Sequence, residues 1–198
     1  MVTSPQSFGA RKFEACHHIC RTGHFRHRLL ELAVGAIYTR DQLIIQRKQW
    51  RSAGRKVVFT NGCYDILHPG HIRLLESARS LGDILILALN TDASVQRLKG
   101  PTRPLIPERE RAELAAALAA VDAVTFFDED TPRELIAAVL PDILIKGADW
   151  AHFIAGREEV EAAGGQVLAL PLEPGYSTTG ILEEVLGRKS GPAADAPR

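Results

Sequence analysis

Cysteine is scarce in this chain of 198 residues, which contains Cys16, Cys20 and Cys63 and no others. Three cysteines do not form the disulfide framework that stabilises small secreted domains. We therefore expect a protein of the reducing cytoplasm.

The chain also lacks an excess of charge of either sign. Lys and Arg together number 24, Asp and Glu together number 24, and the formal net charge is zero. A chain without a global basic field is not drawn to nucleic acid or to an anionic membrane surface. We expect no partner of either kind, and any anionic ligand must be held by a local site.

A long hydrophobic run is missing as well. The longest apolar stretch, residues 29–38, is interrupted by Glu31 and lies too far inside the chain for a signal peptide. A membrane-spanning helix needs roughly 20 consecutive apolar residues. The 45% of hydrophobic residues is instead typical of a globular domain.

Three regions differ in composition. Residues 1–40 hold six Lys or Arg, two acids and four of the seven histidines, and we predict a poorly ordered N-terminal extension. Residues 41–187 are predicted to form one domain, and 188–198, rich in Gly, Pro and Ala, a flexible tail. Cys16, Cys20, His24 and His27 are spaced more closely than the ligand pairs of usual zinc modules, so we predict no metal site.

Strand and helix patterns alternate from residue 56 onwards. We predict strands over 56–60, 83–90, 123–127, 142–146 and 166–170, each followed by a helical segment. Thr131, Pro132 and Glu134 have the form of a capping box at the start of one of these helices. Alternation of this kind indicates an α/β fold: a Rossmann-like, doubly wound, five-stranded parallel sheet of order 3-2-1-4-5, with helices on both faces.

The segment HPGH, residues 68–71, leaves the first predicted strand where a helix should begin. Pro69 suits the first helical turn, and Gly70 permits a close approach to the backbone. His68 and His71 then lie near a helix N-terminus, which favours an anion. Two imidazole donors aimed at a phosphate would stabilise charge that develops during substitution at phosphorus. The alternative without a function is a pair of surface histidines around a Pro-Gly that starts a helix.

Further phosphate ligands are predicted at other strand ends. Ser177, Thr178 and Thr179 begin the last helix, although one of them would suffice as a simple N-cap. Lys146 ends an apolar strand and is expected to point towards a ligand at the sheet edge. These ends are neighbours in the predicted strand order, so the motifs should converge.

Together these residues resemble the nucleotidyltransferase family that carries an H-x-G-H signature. The resemblance covers about residues 40–187 and is carried by FTNGCYDILHPGH, LNTDASVQRLKGPTRP, FDEDTP, KGADW and GYSTTGI. Within that family the pattern is most like the branch of heptose 1-phosphate adenylyltransferases. The resemblance implies transfer of AMP from ATP to D-glycero-β-D-manno-heptose 1-phosphate, which yields ADP-heptose and pyrophosphate.

The resemblance also implies roles for individual residues. The catalytic positions it implies are His68, His71, Lys146 and Arg111, the last as a contact to the nucleotide phosphates. The nucleotide-binding positions are Thr60, Asn61, Gly62, Cys63, Tyr64, Gly70, Asn90, Asp92, Ser177, Thr178 and Thr179. Lys99 and Arg103 would hold the sugar phosphate, and Asp65 is expected to be structural, holding the turn or His68.

Cofactor and partners follow from the same resemblance. Mg²⁺ would accompany ATP, a separate heptose kinase would supply the sugar 1-phosphate, and a homo-oligomer is implied without a visible interface. One alternative is a cytidylyltransferase acting on glycerol 3-phosphate or another small phosphate, although Leu172 and Gly180 stand where the glycerol-phosphate enzymes carry arginine and lysine. A second alternative is a nucleotide-binding module without turnover.

Overall fold

Six parallel strands form one sheet in the structure, a computed structural model that describes residues 35–148 and 153–189. The strands are β1 (Ala36–Ile37), β2 (Val57–Gly62), β3 (Ile84–Asn90), β4 (Ala123–Phe127), β5 (Ile143–Gly147) and β6 (Gln166–Leu170). The helices are α1 (Arg40–Ser52), α2 (Pro69–Arg79), α3 (Asp92–Lys99), α4 (Glu108–Ala116), α5 (Arg133–Val139), α6 (Arg157–Ala162) and α7 (Thr178–Lys189). The strand order is β1-β4-β3-β2-β5-β6.

The prediction of five strands is wrong, because β1 adds a sixth at the edge beside β4. Ala36 and Ile37 pair in parallel with Ala123 and Val124. Two residues are too few to display the alternating pattern by which a strand is recognised in a sequence. The five strands β2 to β6 do follow the predicted relative order, and the fold begins before residue 41, at which the predicted domain starts.

The core occupies both faces of the sheet, because successive side chains of a buried strand point to opposite faces. Phe59 and Ile86 pack on the face covered by α1, α5 and α6. Val58 and Leu87 pack on the other face, against α2 and α4. Helices cover both faces, as predicted, and the carboxyl ends of the strands stay open at one end of the sheet.

Two aspartates accept hydrogen bonds at the opposite end of the sheet, where the strands begin. Asp142 Oδ2 accepts a 2.7 Å hydrogen bond from Val57 N, and Asp122 Oδ2 accepts one of the same length from Leu85 N. Each carboxylate thus accepts a hydrogen bond from a backbone N–H at the start of a neighbouring strand.

Helix capping differs from the prediction. At α5 the N-cap is Pro132, and within the described part of the chain no side chain provides a cap, so the capping box predicted at Thr131 is wrong. A capping box does occur at α1, where Thr39 Oγ1 accepts from Gln42 N at 3.3 Å and Gln42 Oε1 accepts from Thr39 N at 2.9 Å. Thr39 has the extended backbone that an N-cap needs, whereas Thr131 lies one residue too early.

Four predicted features lie wholly or partly outside the described residues: the N-terminal extension over 1–34, its cysteines and histidines (Cys16, Cys20, His24 and His27), the end of the KGADW motif, and the tail over 190–198. Among residues 35–148 and 153–189, no helix has both the length and the apolar character needed to cross a bilayer.

Candidate functional site

A cavity of about 490 Å³ lies at the carboxyl ends of β2, β3 and β5 and beneath the segment that follows β6. All but two of the predicted site residues line it. They are Thr60, Asn61, Gly62, Cys63, Tyr64, His68, Gly70, His71, Asn90, Lys99, Arg103, Lys146, Ser177, Thr178 and Thr179. The predicted convergence of the motifs is therefore observed, while the roles of the individual side chains stay predictions.

The two histidines of HPGH form a stacked pair. Their ring centroids are 3.7 Å apart with an interplanar angle of 19°. His68 is the N-cap of α2, and its Nδ1 accepts a 3.4 Å hydrogen bond from His71 N. Since Nδ1 acts as an acceptor, Nε2 carries the proton of the neutral His68 ring and remains a donor for a ligand.

Burial keeps both imidazoles neutral near pH 7. It lowers the pKa of His68, and it lowers the pKa of His71 to about 4, with the neighbouring His68 adding to the effect. Two neutral rings can stack without charge repulsion. An anionic phosphate beside them would favour their protonated forms and so strengthen the hydrogen bonds that they donate.

The turn between β2 and α2 depends on an unusual backbone. Tyr64 has a φ of 47°, in the left-handed region, and its ring lies against Gly62 and at a centroid distance of 4.6 Å from His71. A Cβ at Gly62 would come within 2.9 Å of Tyr64 Cε2. Burial raises the pKa of the Tyr64 hydroxyl, and Thr60 forms a hydrogen bond with it. Tyr64 therefore supports the His71 ring and remains protonated.

Lys146 extends from the end of β5 towards β2. Its Nζ donates to Asn61 O at 3.3 Å and to Asn61 Oδ1 at 3.1 Å. These bonds place the ammonium at the same edge as the histidine pair, because β2 and β5 are adjacent in the sheet. A cation at this edge favours an anionic ligand.

The pKa of the Cys63 thiol is affected by positive side chains in and beside the cavity. Burial raises its pKa, and nearby cations act in the opposite direction. Those cations are Lys99, Arg111, Lys146 and Arg103. Lys99, Arg103 and Lys146 line the cavity, so three positive side chains form a local site for an anion in a chain without net charge.

Arg103 is held in place by Asp65. The Nε of Arg103 lies 2.5 Å from Asp65 Oδ2, and Asp65 Oδ1 accepts from Leu105 N at 2.8 Å and from Ile106 N at 2.9 Å. Asp65 is 1% exposed. It therefore holds the loop that follows α3, not His68, and orients Arg103, which lines the cavity.

Arg111 and Asp92 are the two predicted site residues that the structure does not bring to the cavity. Arg111 is 1% exposed, and its Nη2 pairs with Asp92 Oδ1 at 2.7 Å. Its other hydrogen bonds go to the carbonyl oxygens of Ile106, Cys63 and Asn90, at 2.9, 2.6 and 2.9 Å. The protein itself occupies these donors, and the contact of Arg111 with the nucleotide phosphates stays a prediction.

The three hydroxyl side chains at the start of α7, those of residues 177–179 (the hydroxyl run), have different contacts. Ser177 Oγ accepts a 2.9 Å hydrogen bond from Gly180 N and so acts as the N-cap. Thr178 and Thr179 line the cavity at the start of the helix, where backbone N–H groups are unpaired. One serine serves as the cap, and two hydroxyls remain for a ligand.

Several lining residues were not predicted. Phe127 ends β4 and Asp130 follows it, while Phe153 and Ile154 follow β5. Tyr176 lines the cavity just before the hydroxyl run. The position of these residues after parallel strands was a usable signal, but apolar side chains in loops carry no chemistry that a sequence motif would reveal.

Known proteins resemble this chain over the region that builds the cavity. A family model described as cytidylyltransferase-like matches residues 59–184. The bifunctional protein HldE of Syntrophotalea carbinolica is 53% identical over 150 residues, which is 75% of this chain and 30% of that protein. The bifunctional protein HldE of Trichlorobacter lovleyi is 57% identical over 139 residues, which is 70% of this chain and 28% of that protein. The chain thus spans less than a third of these relatives.

A solved structure is similar as well. It is the lipopolysaccharide core biosynthesis protein from Thermoplasma volcanium, with 30% sequence identity and a TM-score of 0.51. The match covers 61% of this chain and 98% of that one. The family match extends over the H-x-G-H motif, Lys146 and the hydroxyl run. The chain belongs to the cytidylyltransferase-like family and is a nucleotidyltransferase.

Proposed function

We propose that this chain transfers AMP from ATP to D-glycero-β-D-manno-heptose 1-phosphate, which yields ADP-heptose and pyrophosphate. The observation that carries the proposal is the single cavity that contains the stacked histidines, Lys146 and the hydroxyls of Thr178 and Thr179. The identity of more than 50% to the HldE proteins supports the choice of sugar phosphate.

In this proposal an oxygen of the sugar phosphate attacks the α-phosphorus of ATP. The bond between the α-phosphorus and the oxygen that bridges to the β-phosphorus breaks, and pyrophosphate leaves. A phosphate oxygen is already anionic, so no general base has to remove a proton. Catalysis then consists of positioning and of charge stabilisation.

The cavity offers groups for each of these tasks. His68 and His71 donate to the α-phosphate as negative charge grows on its oxygens. Thr178 and Thr179, with the N-terminus of α7, bind the leaving pyrophosphate. Arg103 and Lys99 hold the acceptor phosphate, for which the Arg103–Asp65 pair provides a fixed orientation.

Mg²⁺ fits this site as an ion that arrives with ATP. Residues 35–148 and 153–189 contain no group of three or more His, Cys, Asp or Glu side chains placed to hold a metal. Mg²⁺ usually keeps several waters and binds through phosphate oxygens with one or two carboxylates. Asp130 and Glu173 line the cavity but are paired with Arg97 and Arg73, so the phosphate oxygens of ATP would hold the ion. The ion would neutralise phosphate charge.

A pyrophosphate-release screen tests the proposal. The purified chain is incubated with ATP or CTP and with heptose 1-phosphate of either anomer or glycerol 3-phosphate. We expect release with ATP and the β-anomer. Release with CTP and glycerol 3-phosphate alone would establish the cytidylyltransferase alternative in its place.

Substitution of the histidines separates an enzyme from a binding module. In His68→Ala or His71→Ala we expect kcat to fall by about 100-fold or more, because transition-state donors are lost. The Kd for ATP should change by less than about fivefold. Equal losses in kcat and in ATP affinity would favour a module that only binds nucleotide.

The setting of the reaction is part of the proposal. A kinase must supply the heptose 1-phosphate, and the reaction would take place in the cytoplasm. Homo-oligomerisation, which family resemblance implies, can be measured by light scattering on the purified chain.

A further inference from the structure

The segment between β6 and α7 crosses the N-terminus of α2. We call residues 172–177 the strap. Glu173 of the strap forms an ion pair with Arg73 of α2. The Arg73 guanidinium lies 5.7 Å from the centroid of the Tyr176 ring, within range of a cation–π interaction. The strap is therefore attached to α2 through one side chain that contacts it twice.

Tyr176 reaches the catalytic motif. Its ring lies nearly parallel to that of His68, with an interplanar angle of 15° and a centroid distance of 6.1 Å. Gly70 makes this approach feasible, since a Cβ there would lie 3.0 Å from Tyr176 Cβ and 3.1 Å from His68 Nδ1. The glycine of H-x-G-H thus gives space to Tyr176 and to His68.

We infer that Tyr176 is a positioning residue for His68, and that the ion pair of Arg73 with Glu173 holds Tyr176 in place. This inference rests on the proposed nucleotidyl transfer. The ring restricts the rotation of the His68 imidazole and keeps Nε2 directed at the α-phosphate site.

The other restraints on His68 are weak. Its Nδ1 bond to His71 N is 3.4 Å long, beyond the usual range for N–H···N or N–H···O bonds. The stacked His71 ring does not prevent the His68 ring from sliding parallel to it. A misplacement of about 1 Å can reduce a catalysed rate by about 100-fold, so an additional restraint has a measurable kinetic value.

Tyr176 also precedes the hydroxyl run directly. Ser177 caps α7, and Thr178 and Thr179 follow it into the cavity. The same short segment therefore sets the ring against His68 and places the groups that would bind the leaving pyrophosphate. Tyr176 therefore links the position of His68, at the α-phosphate, to that of the hydroxyls that would bind the pyrophosphate.

Kinetics of a matched pair test the inference. Tyr176→Ala should lower kcat by about 10- to 100-fold and change the Kd for ATP by less than about threefold. Tyr176→Phe retains the ring and should recover most of the lost kcat. Tyr176 is 40% exposed, so both variants should fold, which circular dichroism checks.

Arg73 has a matched control in the same chain. Arg73→Ala should lower kcat by about 3- to 10-fold, since the strap loses its attachment while the ring remains. Arg157→Ala removes a comparably exposed arginine that does not line the cavity. Its Nη1 lies 2.9 Å from Glu161 Oε1. It should leave kcat within about twofold.

An NMR titration of His68 supplies a readout that does not need turnover. Burial lowers the pKa of His68, so Tyr176→Ala should move this pKa upwards towards the ordinary histidine value. Tyr176→Phe should leave it unchanged. The titratable groups near His68 are His71, Arg73, Glu76, Glu173 and Tyr176.

Two results would overturn the inference: a Tyr176→Ala variant that keeps kcat within about twofold, or one in which His68 titrates as in the unsubstituted chain. If the unsubstituted chain shows no nucleotidyl transfer, the proposed function fails instead, while the titration still decides whether Tyr176 holds His68.

Discussion

At the scale of the residue, Arg111 shows how a buried cation can resemble a ligand contact. From the sequence alone it matched a phosphate-binding arginine. In the structure it connects the end of β3, the turn before α2 and the loop before α4 through four hydrogen bonds. These bonds hold together three segments that border the cavity.

Substitution of Arg111 should reduce stability more than it reduces ligand contact. Arg111→Ala leaves three carbonyl oxygens and Asp92 without their donor, and we expect a loss of about 3–5 kcal/mol in the free energy of unfolding. Urea denaturation measures it. Arg109→Ala, on the exposed face of the same helix, is the control and should change the value by less than about 0.5 kcal/mol. Equal effects would contradict the buried network.

His71 should make the stability of the ligand-free chain depend on pH. Its pKa is about 4 in the folded state, below the value of 6.5 for an unperturbed histidine. The unfolded state therefore binds more protons between these two values, and stability is full above the higher value and falls as the pH falls. From about pH 7.5 to about pH 5 we expect a loss of about 2 kcal/mol from this group.

Comparison with His71→Gln isolates that contribution. Urea unfolding of both chains at the two pH values should show a smaller loss for the variant, by about the same 2 kcal/mol. Parallel losses in both chains would show that His71 titrates normally in the folded state.

At the scale of the element, helix starts differ in how well the sequence reveals them. The segment TPRE matches a capping box by its letters, yet α5 starts at Arg133 and Thr131 lies outside it. The segment TRDQ, residues 39–42, forms a capping box in fact. The difference lies in the backbone: Pro132 holds a φ of −78° and a ψ of 15° and itself takes the N-cap position.

The two threonines provide a matched test. Thr39→Ala removes a side-chain acceptor from the first turn of α1 and should lower the free energy of unfolding by about 1 kcal/mol. Thr131→Ala removes no capping bond and should change it by less than about 0.5 kcal/mol. Thermal unfolding followed by circular dichroism measures both. A larger loss at Thr131 would restore the original prediction.

At the scale of the whole molecule, the first described residues complete the sheet. Tyr38 N donates to Val124 O at 2.8 Å, and the Tyr38 ring packs edge-on against Trp50 at 6.3 Å. Gly35 N donates to Ala116 O at 2.8 Å. β4 would become the exposed edge of the sheet without this segment.

Shortened chains test where the domain starts. A chain that begins at residue 41 lacks β1, Tyr38 and the Thr39 cap, and should be less stable than one that begins at residue 35 by roughly 3 kcal/mol or more. Urea unfolding of the two chains gives the difference. Equal midpoints would support a domain boundary at residue 41.

Much of the fold was readable in the sequence because it follows from local rules. Continuous apolar runs such as that of β3 are typical of strands buried on both faces, and alternation with helices requires a parallel sheet. The edge strand β1 escaped, because its two residues form a strand only when β4 lies beside them.

The sequence by itself determined the chemistry available to this protein: two imidazoles around Pro69-Gly70, a lysine at a strand end and a run of hydroxyls. Only the tertiary structure decided which polar side chains face the cavity. Arg111 and Arg103 are both arginines near the same motif, but one points its donors at backbone carbonyls and the other lines the cavity. Burial and hydrogen-bond geometry depend on neighbours that are distant in sequence. For that reason the stacking of Tyr176 on His68 is visible in the structure and not in the motif.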